Sequence, residues 1–234
     1  MLDIHTHILQ GIDDGSQSVE QSISMLQCEA EQGVTTVALT PHYDAKRETP
    51  AQFVQRREVA KEHLLNEIGD RKRMPVMLSG AEVALFEGLS RIEDLEMLCI
   101  AGTHVMLVEM PFCRWTKRML REVEEMQQLR GVKPILAHIE RYLSFQPKHI
   151  WSELSDSGIW LQCNTSFFLR WQTRWRAMAM MKKHLIDFVA SDCHGTEYRP
   201  PNLNAAMEKI RKTAGPESIA FLQSNEEALL ERMK

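Results

Sequence analysis

The chain has 234 residues, 44% of them apolar and 26% charged, with a formal net charge of −4. This fits one large α/β domain or two small ones with a sizeable core. The acidic balance excludes a nucleic-acid coat and a membrane-surface protein, both of which need an excess of basic side chains. The chain enters an apolar run at once, with no basic leader or cleavage pattern, and no stretch approaches the roughly 18 apolar residues of a membrane span. Its five cysteines (Cys28, Cys99, Cys113, Cys163 and Cys193) are scattered and odd in number. They suit a reducing cytoplasm rather than a disulfide framework, and the lack of any C-x-x-C pair argues against a zinc ribbon.

Short apolar runs alternate with helical patterns from end to end. The first expected strand covers residues 2–8. A helix with Val19, Ile23, Leu26 and Ala30 on one face follows, opening at a possible capping box Ser18-x-x-Gln21 and stopping at Gly33. A strand at 35–40 leads to a helix over 50–68, which starts behind Thr49-Pro50, an N-cap and first-turn pair. Further strands are expected at 75–83, 104–110, 134–139, 159–164 and 186–191. Further helices are expected at 116–129, 148–156, 177–184, 203–213 and 226–233. Strand–helix units repeated about seven times imply a parallel sheet with crossover helices. A closed or nearly closed (β/α) barrel in one domain spanning 1–234 is the economical architecture, with an open doubly wound sheet as the alternative.

Polar residues recur where these strands end. The first strand carries His5-Thr6-His7 and leads into Asp13-Asp14; the second ends at Thr40-Pro41-His42 and the third at Gly80-Ala81-Glu82. Glu109-Met110-Pro111, Ala137-His138 and Asp192-Cys193-His194 close the fourth, fifth and seventh. In a strand, residues i and i+2 face the same side, so the two doublets His5/His7 and Asp192/His194 each aim two donors at one place. In (β/α) barrels the C-terminal strand ends share one face, which makes neighbours of donors far apart in sequence. A capping Asp or a hydrogen-bonded core His explains any one of them, but not their repetition at successive strand ends.

These residues carry a family likeness. Asp3-Ile4-His5-Thr6-His7-Ile8-Leu9 with Gly11-Ile12-Asp13-Asp14-Gly15 resembles the polymerase-and-histidinol-phosphatase (PHP) family, especially its bacterial capsule and exopolysaccharide tyrosine-protein phosphatases. Thr40-Pro41-His42-Tyr43, Leu136-Ala137-His138-Ile139-Glu140-Arg141-Tyr142, and the run from Ala190 through His194 to Arg199-Pro200-Pro201 extend the resemblance over essentially the full chain. It implies a distorted (β/α)7 TIM-like barrel and a centre of three divalent metal ions, usually manganese, with Fe or Zn2+ as alternatives. By the same resemblance, one metal falls to His5, His7, Glu82 and Asp192. A second falls to Asp14, His42 and His194, and a third to a bridging Glu82 with Glu109 and His138. Arg141 and Arg199 correspond to phosphate-contacting arginines, and Arg47 is a further substrate-binding candidate. Ile139 and Cys193 depart from the family's proline and small residue.

Mixed imidazole and carboxylate donors suit Mn2+, Fe or Zn2+ rather than Ca2+, which takes oxygen alone. Asp14, Glu82, Glu109 and Asp192 only partly neutralise three divalent cations, leaving positive character for a phosphate dianion. The expected reaction is attack on phosphorus by a metal-bound hydroxide, with Arg141 and Arg199 offering planar paired donors. The expected substrate is a phosphotyrosine protein, a bacterial tyrosine kinase of polysaccharide export. The rivals are a phosphatase for a small ester such as histidinol phosphate, and a metal-stabilised binding module without catalysis.

Two further segments call for a reading. Cys193 to Arg199 satisfies the C-x5-R spacing of cysteine-dependent tyrosine phosphatases. Asp192 disfavours a thiolate there, however, and Pro200-Pro201 removes amide donors from the cradle that chemistry needs. Residues 167–176 are basic and aromatic. They read either as a docking rim for an acidic phosphopeptide or as a helix start whose tryptophans pack on the barrel.

Overall fold

A computed structural model describes residues 1–69 and 73–233. Among the described residues nine strands appear: β1 (Leu2–Thr6), β2 (Thr36–Leu39), β3 (His42–Tyr43), β4 (Val76–Ser79), β5 (Glu82–Ala84), β6 (Val105–Glu109), β7 (Lys133–Leu136), β8 (Trp160–Asn164) and β9 (Phe188–Ala190). Every ladder is parallel, in a three-stranded sheet β1-β2-β4 and a six-stranded sheet β3-β5-β6-β7-β8-β9. β1 and the end of β9 meet through one isolated bridge, Thr6 with Cys193. His7 N donates to Cys193 O at 3.0 Å and Asp192 N to His5 O at 2.9 Å.

Among the described residues the seven expected strands are present as nine. The one expected at 75–83 breaks at Gly80-Ala81 into β4 and β5, and β3 follows the one expected at 35–40 across Thr40-Pro41, beside that break. Gly80 N donates to Leu39 O at 2.9 Å and Glu82 N to Pro41 O at 3.1 Å. Pro41 has no N–H for the ladder, and a Cβ at Gly80 would meet Thr40 Cγ2 at 3.1 Å and Ile100 Cγ1 at 3.2 Å. Both chains therefore leave one sheet together and enter the other as β3 and β5, where His42 pairs in register with Glu82.

The helices are α1 (Val19–Glu31), α2 (Pro50–Ile68), α3 (Lys117–Arg130), α4 (Ile150–Asp156), α5 (Thr165–Leu169), α6 (Arg174–Met181), α7 (Leu203–Ala214) and α8 (Pro216–Glu231). Local chemistry sets the early starts: Ser18 accepts from Gln21 N, and Thr49 with Gln52 forms a reciprocal capping box behind Pro50. α8 begins ten residues before the expected position 226, because Pro216 takes the first turn behind Gly215. The strand–helix alternation lapses between β5 and β6, where two short 3-10 turns, Leu89–Arg91 and Leu95–Leu98, stand in for a helix. Among the described residues no helix is long and apolar enough to cross a membrane.

Two apolar clusters hold the layers. The smaller joins Leu2, Ile4, Ala38, Leu78, Leu107, Ile135 and Phe188, drawn from six strands, to Leu229 of α8. The larger lies between strands and helices, from Ile8 to Leu222. α8 also meets the start of β1, where Leu2 N donates to Glu226 Oε2 at 3.2 Å. Burial, with the charges of Asp3 and Glu227 adding to it, pushes the Glu226 carboxyl up to about 7.

Two consequences are measurable. A Cβ at Gly15 would lie 2.2 Å from His7 O and 2.4 Å from His7 Cβ. Gly15→Ala therefore overpacks the loop against β1 and should lower the midpoint of thermal unfolding by about 3–10 °C; an unchanged midpoint would show that the loop simply moves aside. Glu226 keeps a proton in the folded chain that the unfolded chain releases near pH 4.5, so folding stability falls as pH rises from about 4.5 to 7. Glu226→Gln should thus be more stable than the parent at pH 8 and lose that advantage at pH 4, read by urea unfolding.

Candidate metal centre

The bend in β3 and β5 and the bulge in β1 between Asp3 and Thr6 turn several strand ends toward one point. His5 Nε2 and His7 Nε2 approach to 3.1 Å. Both face Glu82 Oε2, at 3.1 and 3.2 Å, and Asp192 Oδ1, at 3.5 and 3.4 Å. His42 Nδ1 lies 3.1 Å from the same Glu82 oxygen, while His138 Nε2 lies 2.8 Å from Glu82 Oε1 and 3.5 Å from Glu109 Oε1. On the other flank Asp14 Oδ1 is 3.6 Å from His42 Nε2 and 3.4 Å from His194 Nε2. All nine donors expected from the sequence are thus brought together. Their grouping differs in detail, since His7 also falls with Asp14, His42 and His194, and His42 with Glu82 and Glu109.

The protonation pattern follows from burial and charge. Burial works against the cationic form of His5 and His7, yet Glu82 and Asp192 around His5, and Asp13 first among the partners of His7, outweigh it and raise both. Burial likewise works against ionised Glu82 and Asp192, but His5 leads the groups that hold both well below the ordinary carboxylate range. Burial dominates at His42 and His138 and lowers both; at His194, burial with His7 and Arg199 brings the value down to about 4. Burial and the Glu82 charge push Glu109 up to about 7.

This donor set fits a divalent cation. His5 and His7 nitrogens lie 3.1 Å from each other and 3.1–3.5 Å from Glu82 Oε2 and Asp192 Oδ1, spacings that match edges of a coordination polyhedron with bonds of about 2.1 Å. Two imidazole nitrogens facing each other at 3.1 Å need a proton or a cation between them. His138 Nδ1 is moreover buried without a hydrogen-bond partner.

Residues that the motif reading passed over hold these donors in place. Asp13 Oδ2 contacts His7 Nδ1 at 2.7 Å and accepts from His42 N at 3.0 Å, fixing which face of the His7 ring points at the cluster. Gln162 Oε1 lies 3.3 Å from His5 Nδ1 and accepts from His138 N at 2.7 Å. Its Nε2 donates to Asn164 Oδ1 at 2.9 Å, and Asn164 Nδ2 donates to Asp192 Oδ2 at 2.6 Å. Gln162 and Asn164 are polar residues at i and i+2 in an apolar strand, the same signal that marked the histidine doublet. His138, Asp192 and Arg199 all have left-handed backbones, with φ of 33°, 52° and 51°. That conformation is costly for side-chain-bearing residues and is held here by the surrounding contacts.

The arginines divide. Arg141 Nη2 donates to Asp192 Oδ2 at 2.6 Å, and Arg199 Nη2 reaches the same oxygen while its Nη1 contacts His194 Nε2 at 2.9 Å. Arg47 is not drawn in: its side chain is 82% exposed and pairs with Asp44 at 3.6 Å, in the turn that leads to α2. Cys193 is fully buried with Sγ 3.9 Å from Glu29 Oε1, and burial, Glu29 and Asp3 push its thiol well above the ordinary value. The basic-aromatic stretch splits as well. Phe167 and Phe168 are core, whereas Trp171 and Trp175 are 73% and 70% exposed, so the tryptophans do not pack on the strands.

Comparison with known proteins agrees with this geometry. The family model described as "Capsular polysaccharide synthesis, CpsB/CapC" matches residues 1–231. The tyrosine-protein phosphatase CpsB of Streptococcus pneumoniae is 31% identical, covering 92% of this chain and 91% of its own. The tyrosine-protein phosphatase YwqE of Bacillus subtilis is 28% identical, covering 98% and 91%. A solved structure from the crystallographic work on those two proteins, described as unique metal-dependent tyrosine phosphatases, superposes with a TM-score of 0.84 at 25% identity over 100% of this chain and 96% of that one. A chain from archaeal ribonuclease P shares the fold alone, with a TM-score of 0.56 at 13% identity. With the family model matched over nearly its whole length, this chain belongs to the CpsB/CapC family of capsular polysaccharide synthesis.

Proposed function

We propose that this protein is a metal-dependent protein-tyrosine phosphatase of capsule or exopolysaccharide synthesis, acting on the phosphotyrosines of a bacterial tyrosine kinase. The observation that carries this reading is the clustering of five histidines and four carboxylates, with Glu82 touching four of the histidines and Arg141 and Arg199 at the edge. The metal-dependent tyrosine phosphatase activity ascribed to the relatives supports it. We read the strands as a distorted (β/α)7 barrel forming one domain. The single bridge between β1 and the end of β9, and the apolar cluster fed by six strands, favour that closure. Five unpaired cysteines favour a cytoplasmic setting.

His5, His7, Glu82 and Asp192 would hold one divalent ion, Asp14, His42 and His194 a second, and Glu82, Glu109 and His138 a third, with Mn2+ the first choice and Fe or Zn2+ compatible with the same donors. Such ions supply Lewis-acid polarisation of phosphoryl oxygens and acidify water. The chain's own residues do the rest. Neutral His42, His138 and His194 keep lone pairs available, and Gln162, Asn164 and Asp13 keep the donors aligned. Arg141 and Arg199 present planar N–H pairs to equatorial phosphoryl oxygens and offset the dianion's charge. A phenolate leaving group, with a pKa near 10, departs without a strong proton donor, unlike an alkoxide.

Two experiments test this. Protein stripped with a chelator should lose hydrolysis of p-nitrophenyl phosphate, regain it with Mn2+, and gain thermal stability on metal addition. Metal-dependent stabilisation without any hydrolysis would favour the non-catalytic module. Cys193→Ala should keep kcat/KM on a phosphotyrosine peptide within about twofold, while His194→Ala should lower it by about 100-fold or more; the reverse pattern would restore the cysteine nucleophile.

A further inference from the structure

A wide cleft opens beside the candidate metal centre. Its volume is about 1040 Å3, and Arg141, Asn164 and Arg199 form its inner end. These residues contact Asp192, so the cleft is continuous with the place where a phosphate would sit. Small-molecule pockets run from roughly 300 to 1,000 Å3. This one is at the top of that range, with room for several residues of an extended peptide.

Its outer end is formed by the basic-aromatic stretch, with Arg170, Trp175 and Arg176 on the wall. Arg170 is exposed, Trp175 is 70% exposed, and the one hydrogen bond described for the Arg176 guanidinium runs to Leu143 O at 3.4 Å. Among the described residues, the ion pairs made by the cleft's arginines are those of Arg141 and Arg199 with Asp192. Against four arginines the lining sets two carboxylates, Glu140 and Glu197. Glu140 Oε2 already accepts from Asn164 N at 3.2 Å, and Glu197 is exposed, with no ion pair to these arginines among the described residues. The outer wall therefore carries two guanidinium groups without carboxylate partners, in an otherwise acidic protein with a net charge of −4. Their complement is a negatively charged chain, and Trp175 adds a flat apolar face for it.

We propose, building on the phosphatase reading, that this cleft is the docking groove for a phosphopeptide with acidic side chains beside its phosphotyrosine, and that Arg170 and Arg176 select for those acids. The phosphotyrosine lies at the Arg141–Arg199 end and the flanking acids reach the outer wall. Specificity for a protein substrate then comes from the α5–α6 segment, away from the metal donors.

The test is equilibrium binding to the Mn2+-loaded protein, followed by fluorescence anisotropy. Two labelled peptides carry the non-hydrolysable mimic phosphonomethyl-phenylalanine, one flanked by Glu and the other by Gln at the same positions. The Glu-flanked peptide should bind about tenfold tighter at low salt, and the gap should shrink with added salt. Arg170→Ala/Arg176→Ala should remove the gap while leaving affinity for the Gln-flanked peptide, and turnover of p-nitrophenyl phosphate, within about twofold. Arg170→Gln and Arg176→Gln, which keep more side-chain volume, should each narrow it. Equal affinities in the parent protein, or a gap that survives in the double variant, would overturn the groove. So would a single-stranded oligonucleotide that displaces the Glu-flanked peptide at equal or lower concentration. Hydrolysis of the matching phosphotyrosine peptides runs in parallel. Turnover without a binding gap removes the groove alone, whereas a gap without any turnover removes the phosphatase reading and the phosphopeptide with it.

Discussion

One buried carboxylate organises the centre of this molecule. Glu82 is 1% exposed and touches four imidazoles, those of His5, His7 and His42 through Oε2 and that of His138 through Oε1. An ionised carboxylate so deep in protein would be strongly destabilising in an apolar setting. Here the imidazoles hold its pKa well below the ordinary range, and the carboxylate in turn keeps those four ring nitrogens, from elements of both sheets, within one small volume. Removing Glu82 would leave like-charged and lone-pair-bearing groups facing each other, so site and core are not separable at this point.

The backbone reaches this arrangement through paired interruptions. The breaks at Thr40-Pro41 and Gly80-Ala81 occur on adjacent strands and move both chains from one sheet to the other. A change in only one of them would shift His42 relative to Glu82, which are now in register. The same economy appears at the far side. The Asp3 carboxylate accepts from the backbone N–H of both His5 and Ser191, so one side chain ties the first strand to the last just behind the two donor doublets.

Much of this was legible in the sequence because the informative residues stand at strand ends, where an i, i+2 doublet has a direct geometric meaning. His5/His7 and Asp192/His194 do converge, but the second doublet does so beyond the end of β9 and through the left-handed backbone of Asp192 rather than by strand alternation. The short strand β3 and the break between β4 and β5 were not legible, since an apolar run carries no mark of which sheet it joins and Gly80 reads as a strand residue until its close neighbours are known. Asp13, Gln162 and Asn164 were passed over because their contacts depend on the third dimension. Arg47 lies close to His42 along the chain, but its side chain points to solvent and stays outside the donor cluster. The early start of α8 rests on a proline whose helix-initiating role is clear only when a helix follows it.

The bridge between Thr6 and Cys193 has a further consequence for the life of the chain. His5 and His7 leave the ribosome well before Asp192 and His194, which stand far behind them in the sequence. No partial chain can assemble the full donor set, and contacts of such long sequence separation form slowly. The complete donor cluster therefore forms only once the segment through His194 has been made and folded against β1. A copy cut short before Asp192 would lack both donors of the last doublet and offer a divalent ion a poorer site than a copy that has them.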